Sequence, residues 1–295
     1  METTLTLAHK PYEGNLTNAY QYCRNVAQAR GPNFSLGFSF LPAQKRDAVY
    51  AVYAFSRYAD DIVDEKHDMN VSTRLDLWED ALHRLYEGEF DHPVTAAMAD
   101  AVKGYHIPKK PFLDLIEGCR MDLRKNRYSD FSDLYTYCEK VASTISVMSL
   151  CIFGYKSEDA FHYGESLSTA LQLTNIIRDV GEDAERNRIY LPQDELKKFG
   201  LTDADILNKT YDERFIRLMD YQTKRALSYF KDANNLIPLI NDDSAYCVAL
   251  MGSVYVGVLK QIEKNRFNVY SKKARISPAR KALLVARKTV NPLFI

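Results

Sequence analysis

Proline and glycine are scarce in this 295-residue chain, at 10 and 12 residues. That disfavours β-sandwiches, turn-rich dinucleotide folds and collagen-like sequences. Cysteine is sparse too: Cys23, Cys119, Cys138, Cys151 and Cys247 lie dispersed without CxxC spacing. An odd, scattered set excludes a disulfide framework and a cysteine zinc site, and it fits reduced thiols in a core. Net charge is absent, with 39 Lys+Arg against 39 Asp+Glu, so nothing general points to nucleic acid as a partner. Long apolar runs are missing as well. The longest uncharged stretches, Val141–Tyr155 and Ser244–Leu259, hold 15 and 16 residues. Both fall short of the roughly 18–20 needed to span a bilayer and are expected to be buried helices. The opening METTLTLAHKPYEG has no basic region followed by an apolar core, so no secretory signal is expected.

What is present is a 46% hydrophobic chain with 26% charged residues, which excludes a disordered polymer and supplies a sizeable core. Prolines fall where helical patterns break, at Pro11, Pro32, Pro42, Pro93, Pro108, Pro111, Pro192, Pro238 and Pro278. Between them lie stretches rich in Ala, Leu, Tyr, Glu, Lys and Arg that favour or tolerate helix. Apolar positions recur near a 3.6 period across residues 43–64, and Ser72 and Asp130 read as helix starts. No segment alternates with period two, no Asn-Gly hairpin signal occurs, and no repeat or linker divides the chain. The expectation is one all-α domain. Residues 260–295 carry ten Lys/Arg and one acid, Glu263. This basic end reads as a solvated tail helix or as a flank facing phosphates or an anionic membrane.

Two acidic motifs carry the chemistry: Asp60-Asp61-Ile-Val-Asp64 and Asp179-Val-Gly-Glu182-Asp183. Each sets two aspartates one helical turn apart on one face. Like charges at that spacing cost a helix roughly 0.2–0.5 kcal/mol, a poor choice for stability alone. A divalent cation reverses the sign, because hard Mg²⁺ takes carboxylate oxygens and keeps sites for phosphate. Both faces extend as stripes, one through Tyr53, Arg57, Asp60 and Asp64, the other through Gln172, Asn175, Asp179 and Asp183. Asp61 points roughly 100° away from Asp60 and falls outside its stripe. The bland alternative is a pair of solvated acidic faces; two aligned motifs with amides, arginine and tyrosine weigh against it.

Facing carboxylate clusters around Mg²⁺, with Mn²⁺ as a substitute, suit a diphosphate leaving group, since metal neutralises the charge that develops as a C–O bond ionises. Arg57 and Arg178 lie beside the clusters, and Arg178 is expected to make the bidentate grip. The remaining allylic cation needs a dry aliphatic and aromatic cavity. The 20 Tyr and 14 Phe supply lining in abundance.

These residues resemble the squalene/phytoene synthase family. Tyr53-Ala-Phe-Ser-Arg-Tyr-Ala-Asp60-Asp-Ile-Val-Asp64 is similar to its first signature, and Gln172 through Asp183, continuing from Asn187 to Leu196, to its second. Ile116–Tyr128 and Tyr135-x-Tyr137-Cys-x-x-Val141-Ala also match the family pattern. The resemblance covers residues 18–290 and leaves 1–17 as an N-terminal extension. It implies a helical isoprenoid synthase bundle with a central cavity, and head-to-head (1′–1) coupling of two prenyl diphosphates through a cyclopropylcarbinyl diphosphate to a linear polyene. Carried onto matching positions, Asp60, Asp64, Asp179 and Asp183 hold Mg²⁺ with Asn175 as a further ligand. Gln172 sits near the reacting carbons, and Tyr53, Arg57, Tyr137 and Arg178 bind or orient diphosphate. Val141 is carried over as a substrate contact. Where many relatives read Ser-x-Ser-Phe, this chain reads Gly31-Pro32-Asn33-Phe34, so the two hydroxyls are absent; Asn33 can still donate to phosphate, and Phe34 is carried over with it as a substrate contact.

Product length divides the signals. Phe38 stands where family members with C30 products carry a bulky side chain, which slightly favours farnesyl diphosphate and squalene or dehydrosqualene. Ile116–Tyr128 and Pro192–Leu196 read more like phytoene synthases, which take geranylgeranyl diphosphate. No GxGxxG loop marks an NADPH site, so a reductant stays open. Other readings are a terpene cyclase or prenyl diphosphate phosphatase on the same fold, a di-iron bundle, and a non-catalytic helical scaffold. A di-iron bundle needs Glu-x-x-His on two helices, and only Glu89–His92 occurs. The expected location is the cytoplasm, with peripheral contact at the inner membrane face through the basic end, and with downstream isoprenoid enzymes as partners.

Overall fold

The computed structural model describes residues 11–64, 70–271 and 274–286, with the side chains of Pro32 and Asn33 outside that description. Helix boundaries follow capping and proline chemistry. Pro32, Pro93 and Pro278 open α2 (Pro32–Phe38), α5 (Pro93–Tyr105) and α14 (Pro278–Ala286), where a missing N–H costs nothing. Asp130 caps α7 (Phe131–Cys138) by accepting from the Asp133 amide. The start expected at Ser72 lies two residues earlier. Asn70 caps α4 (Val71–Glu87), its side-chain oxygen accepting from the Ser72 and Thr73 amides. The other helices are α1 (Leu16–Arg30), α3 (Ala43–Asp64), α6 (Lys110–Arg124), α8 (Thr144–Phe153), α9 (Asp159–Glu185), α10 (Gln193–Lys198), α11 (Asp203–Leu207), α12 (Glu213–Ala233) and α13 (Asp242–Lys264). Among the described residues extended pairing is limited to two isolated bridges, Arg127 with Ile189 and Tyr155 with Ile240. The all-α expectation holds.

Helix α3 is buried on two faces for different reasons. Ala48, Ala51, Phe55, Ala59 and Ile62 recur at helical spacing and are fully enclosed. There Phe55 stacks on Trp78 at 4.7 Å and meets Phe112 edge-on at 5.1 Å. These rings anchor α3 against α4 and α6. Its other face, through Val49, Val52, Tyr53, Ser56 and Asp60, lines a cavity.

Helices α9 and α13 are buried nearly all round, as a helix through the middle of a bundle must be. By length and composition α13 could cross a membrane, yet 72% of its apolar window is buried inside the protein. It is the core helix that its uncharged run predicts. Helix α12 packs along α9 and is tied to α10 by an enclosed ion pair between Arg225 and Glu195. Gln222 donates a second bond to Glu195, and the guanidinium lies 4.0 Å over the Phe131 ring. Such a pair locks geometry more than it adds stability, since each charge pays desolvation.

Between α7 and α8 the chain makes one π-helical turn, Glu139–Ser143. Turns of this kind bulge a helix and re-aim its side chains. Here Val141 and Ala142 enter the cavity wall. Gly118 on α6 permits the approach, because a Cβ there would stand 2.7 Å from Val141 Cγ1.

Candidate active site

The cavity lies among α2, α3, α8, α9 and α13 and encloses about 650 Å³. Positions on α3 from Val49 to Asp60 and on α9 from Gly164 to Arg178 line it. At 1.5 Å rise per residue this is a channel about 20 Å long, with both helices running the same way along it. The polar residues Tyr53, Arg57, Asp60, Asn175 and Arg178 gather at the C-terminal ends. Toward the other end the walls are Phe38, Phe153, Leu167, Leu236 and Ile240. Two hydroxyls in the wall are turned back on the backbone. Ser56 donates to the Val52 carbonyl at 2.9 Å and Ser168 to the Glu165 carbonyl at 2.9 Å. The result is a pocket with a largely apolar wall and a cluster of charged groups where Arg57, Asp60 and Arg178 meet it.

Both acid rows occupy the C-terminal turns of their helices, where the backbone dipole is already negative and neither helix offers a basic residue in its last turn. Negative charge is concentrated there against local stability. Burial pushes the Asp60 carboxyl up to about 7, with Asp64 and Asp122 adding repulsion against the pull of Arg57. Burial likewise pushes Asp183 up to about 7, with Asp179 and Asp122 adding to it against Arg188 and Arg186.

The rows meet through residues that the motif reading left without a role. Asp122 on α6 lies between them, its charge felt by both Asp60 and Asp183. It accepts from Tyr190 Oη at 2.7 Å and Tyr137 Oη at 3.0 Å. Arg188 bonds Asp64 at 3.2 Å and also lies near Asp183. Asp122, Arg188 and Tyr190 all sit inside stretches quoted for the family likeness. Their role depends on the chain reversal after α9, which no spacing rule reveals. Tyr255 on α13 also lines the cavity beside Arg178.

The expected site residues, Asn33 aside, each have a definite place. Tyr53, Arg57, Asp60, Gln172, Asn175, Arg178, Phe34, Phe38 and Val141 line the cavity. Asp64, Asp179 and Asp183 do not line it: Asp64 pairs with Arg186 and Arg188, Asp179 with its neighbour Arg178, and Asp183 lies beside Arg188 and Tyr190. Tyr137 lies off the cavity, its hydroxyl committed to Asp122. The side chain of Asn33 lies outside the described residues. Asp61 turns from the row as its helical angle requires and pairs with Arg57 and with Arg30 at 3.7 Å. Arg178 spans both oxygens of its neighbour Asp179, with Nε at 2.9 Å from Oδ1. Cys119 donates its thiol to Asp60 at 3.6 Å. Phe34 stacks against Phe38 at 6.1 Å and contacts Tyr53 and Tyr255 at 5.8 and 5.7 Å.

The donor set suits a divalent ion that shares its ligands with a substrate. Among the described residues no three acidic, histidine or cysteine side chains close on a single point. Mg²⁺ does not require that, since it is held through one or two carboxylates while water and phosphate fill the other positions. The buried Asp60 and Asp183, each repelled by Asp122 and by the aspartate one turn away on its own helix, are the groups that such a charge would relieve.

Comparison with known proteins places this geometry. The squalene/phytoene synthase family profile matches residues 27–280. A 15-cis-phytoene synthase from Synechococcus elongatus is 39% identical over 281 residues, covering 90% of this chain and 91% of that protein. A chloroplastic phytoene synthase from an Oncidium hybrid cultivar is 37% identical, covering 92% of this chain and 67% of that protein. Among solved structures, a dehydrosqualene synthase in complex with ligand superposes with a TM-score of 0.86 at 29% identity, over 92% of this chain and 95% of that one. The squalene synthase of Alicyclobacillus acidocaldarius gives 0.80 at 30% identity, over 86% of this chain and 96% of that one.

Proposed function

This chain belongs to the squalene/phytoene synthase family, and on that premise we propose that it joins two molecules of geranylgeranyl diphosphate head to head to make phytoene. It is a prenyltransferase, and head-to-head condensation of prenyl diphosphates is the family's reaction. One observation carries the reading: Asp60, Arg57, Asn175 and Arg178, from two helices, line one cavity together with an apolar wall, and Asp122 lies close enough to act on both Asp60 and Asp183. Relatives named phytoene synthase, at 35–39% identity over about nine-tenths of the chain, support the C40 product over the C30 product that Phe38 favours. Squalene and dehydrosqualene synthases are also structural neighbours, at 29–30% identity, and share the condensation.

The chemistry divides between mouth and channel. Carbon–oxygen cleavage in the first substrate sends the electron pair out with diphosphate and leaves an allylic cation. The double bond of the second substrate attacks it, and loss of a proton closes a cyclopropane. A second cleavage opens that ring, and loss of another proton leaves the linear polyene, with no reductant consumed. NADPH therefore has no part in this reading. Asp60, Asp64, Asp179, Asp183 and Asn175 would hold Mg²⁺, which when bound would neutralise the charge that develops on the departing diphosphate. Arg178, Arg57 and Tyr53 orient the diphosphates. Gln172 lies where the chains react, while Phe34, Phe38 and Val141 exclude water and shape the wall. Tyr137 acts through Asp122, holding the floor between the rows.

Purified protein given geranylgeranyl diphosphate and Mg²⁺ should release a C40 hydrocarbon and inorganic diphosphate. Only C20 alcohols or cyclic products would overturn the assignment in favour of a phosphatase or cyclase.

Membrane contact belongs to the same reading. Helix α14 carries exposed Arg280 and Leu283, the latter 54% exposed, on the strongly basic end of the chain. We place it against anionic lipid, where an apolar product would leave. Protein bound to anionic vesicles at low salt should be released at high salt, and retention would argue against an electrostatic contact.

A further inference from the structure

We propose that Arg188, with Arg186 beside it, is a resident counter-cation that keeps Asp64 closed to divalent metal until diphosphate arrives to draw the guanidinium away. The inference rests on the metal–diphosphate reading above and adds an order of events to it.

The geometry is local and firmly built. After α9 the chain doubles back, with the amides of Arg186 and Arg188 both donating to the Asp183 carbonyl, at 3.0 and 2.9 Å. Asn187 between them takes the left-handed conformation at φ 56°. It is clamped there by Arg127, which donates to the Asn187 carbonyl at 2.7 Å and to Oδ1 at 2.9 Å. Beyond the turn, Ile189 donates to the Asn126 carbonyl at 3.0 Å, and Tyr190 reaches Asp122. In an extended segment residues two apart share a side, so Arg188 and Tyr190 both face the acid mouth. Both guanidinium groups then cross from the end of α9 to the end of α3 and bond one oxygen, Asp64 Oδ1, at 2.9 Å from Arg186 and 3.2 Å from Arg188.

Two cations on one carboxylate oxygen occupy the face that a metal would need. Their side chains differ in freedom: Arg188 is 16% exposed and pinned by its backbone, whereas Arg186 is 52% exposed. A divalent ion arriving alone must displace them with no anion to receive them. A diphosphate brings acceptor oxygens that match the guanidinium fork and frees Asp64 in the same step. Metal and diphosphate therefore bind with positive coupling, and Arg188 carries much of it.

The test is Mn²⁺ binding to the full chain, read from the free-ion EPR signal, with and without inorganic diphosphate. Wild type should bind Mn²⁺ weakly alone and about tenfold or more tightly with diphosphate, within the usual range of coupling between sites. In Arg188→Gln, Mn²⁺ alone should bind about tenfold more tightly and the gain from diphosphate should shrink. With Asp64→Asn added to both proteins, the difference between wild type and Arg188→Gln should vanish, because the contested ligand is gone. Arg186→Gln, at a more exposed position, should show the same trend more weakly and keeps the test readable if the first variant misfolds. Unchanged Mn²⁺ affinity in both arginine variants, with diphosphate coupling intact, would overturn the inference alone. No Mn²⁺ binding to wild type even with diphosphate would overturn the metal–diphosphate reading, and this inference with it.

Discussion

Asp60→Asn should lower turnover on the order of 10³-fold, the scale on which preorganised charge at a leaving group acts, while leaving the helical fold intact. Asparagine keeps the shape of the side chain but not its charge. The same substitution should make the metal-free protein relatively more stable as pH rises. Burial pushes Asp60 up to about 7 in the folded chain, against the ordinary 3.8. Between those values the folded state binds the extra proton. Stability from this group is therefore greatest at low pH and is lost as pH rises toward 7. Thermal melts in a chelator between about pH 5 and 8 should show wild type falling relative to the asparagine variant across that window. A gain in stability with turnover unchanged, or with no Mg²⁺-dependent turnover in wild type to lose, would contradict the account.

Geranylgeranyl diphosphate should be preferred over farnesyl diphosphate by about 10²-fold or more in kcat/KM. Discrimination in an apolar pocket runs near 1–3 kcal/mol per methylene-sized contact, and the two substrates differ by a whole isoprene unit on each chain. The wall from Phe38 to Ile240 is where that unit would pack. Phe38 is buried between Phe34 and Tyr50, with centroids at 6.1 and 5.8 Å, so its ring is held by neighbours and need not bar the channel. Phe38→Ala should keep the C40 product and leave the preference in place. Equal or better use of farnesyl diphosphate by wild type would return the assignment to a C30 synthase.

Much of the fold and of the rows was legible because both rest on short-range periodicity. Proline positions and a 3.6 repeat predict α3, and the stripes along α3 and α9 predict Tyr53, Arg57, Asp60, Gln172 and Asn175, which do line the cavity. Asp61 is excluded by its helical angle alone, and it does turn away to Arg57 and Arg30. The pairing of Arg178 with Asp179 was hidden, since side chains of adjacent helical residues do not ordinarily face each other. Asp122, Arg188 and Tyr190 were hidden for a different reason: their meeting depends on α6 and the turn after α9 arriving at one point. The π-helical turn that brings Val141 into the wall likewise has no signature in local composition.

Inorganic diphosphate binding, measured calorimetrically with and without Mg²⁺ on wild type, Asp60→Asn, Asp179→Asn and the double variant, tests most directly whether the two rows act as one site. The account predicts that binding requires Mg²⁺, that either substitution removes most of it, and that the double variant loses little more than each single one. Mg²⁺-independent binding, or losses from the two rows that simply add, would contradict it.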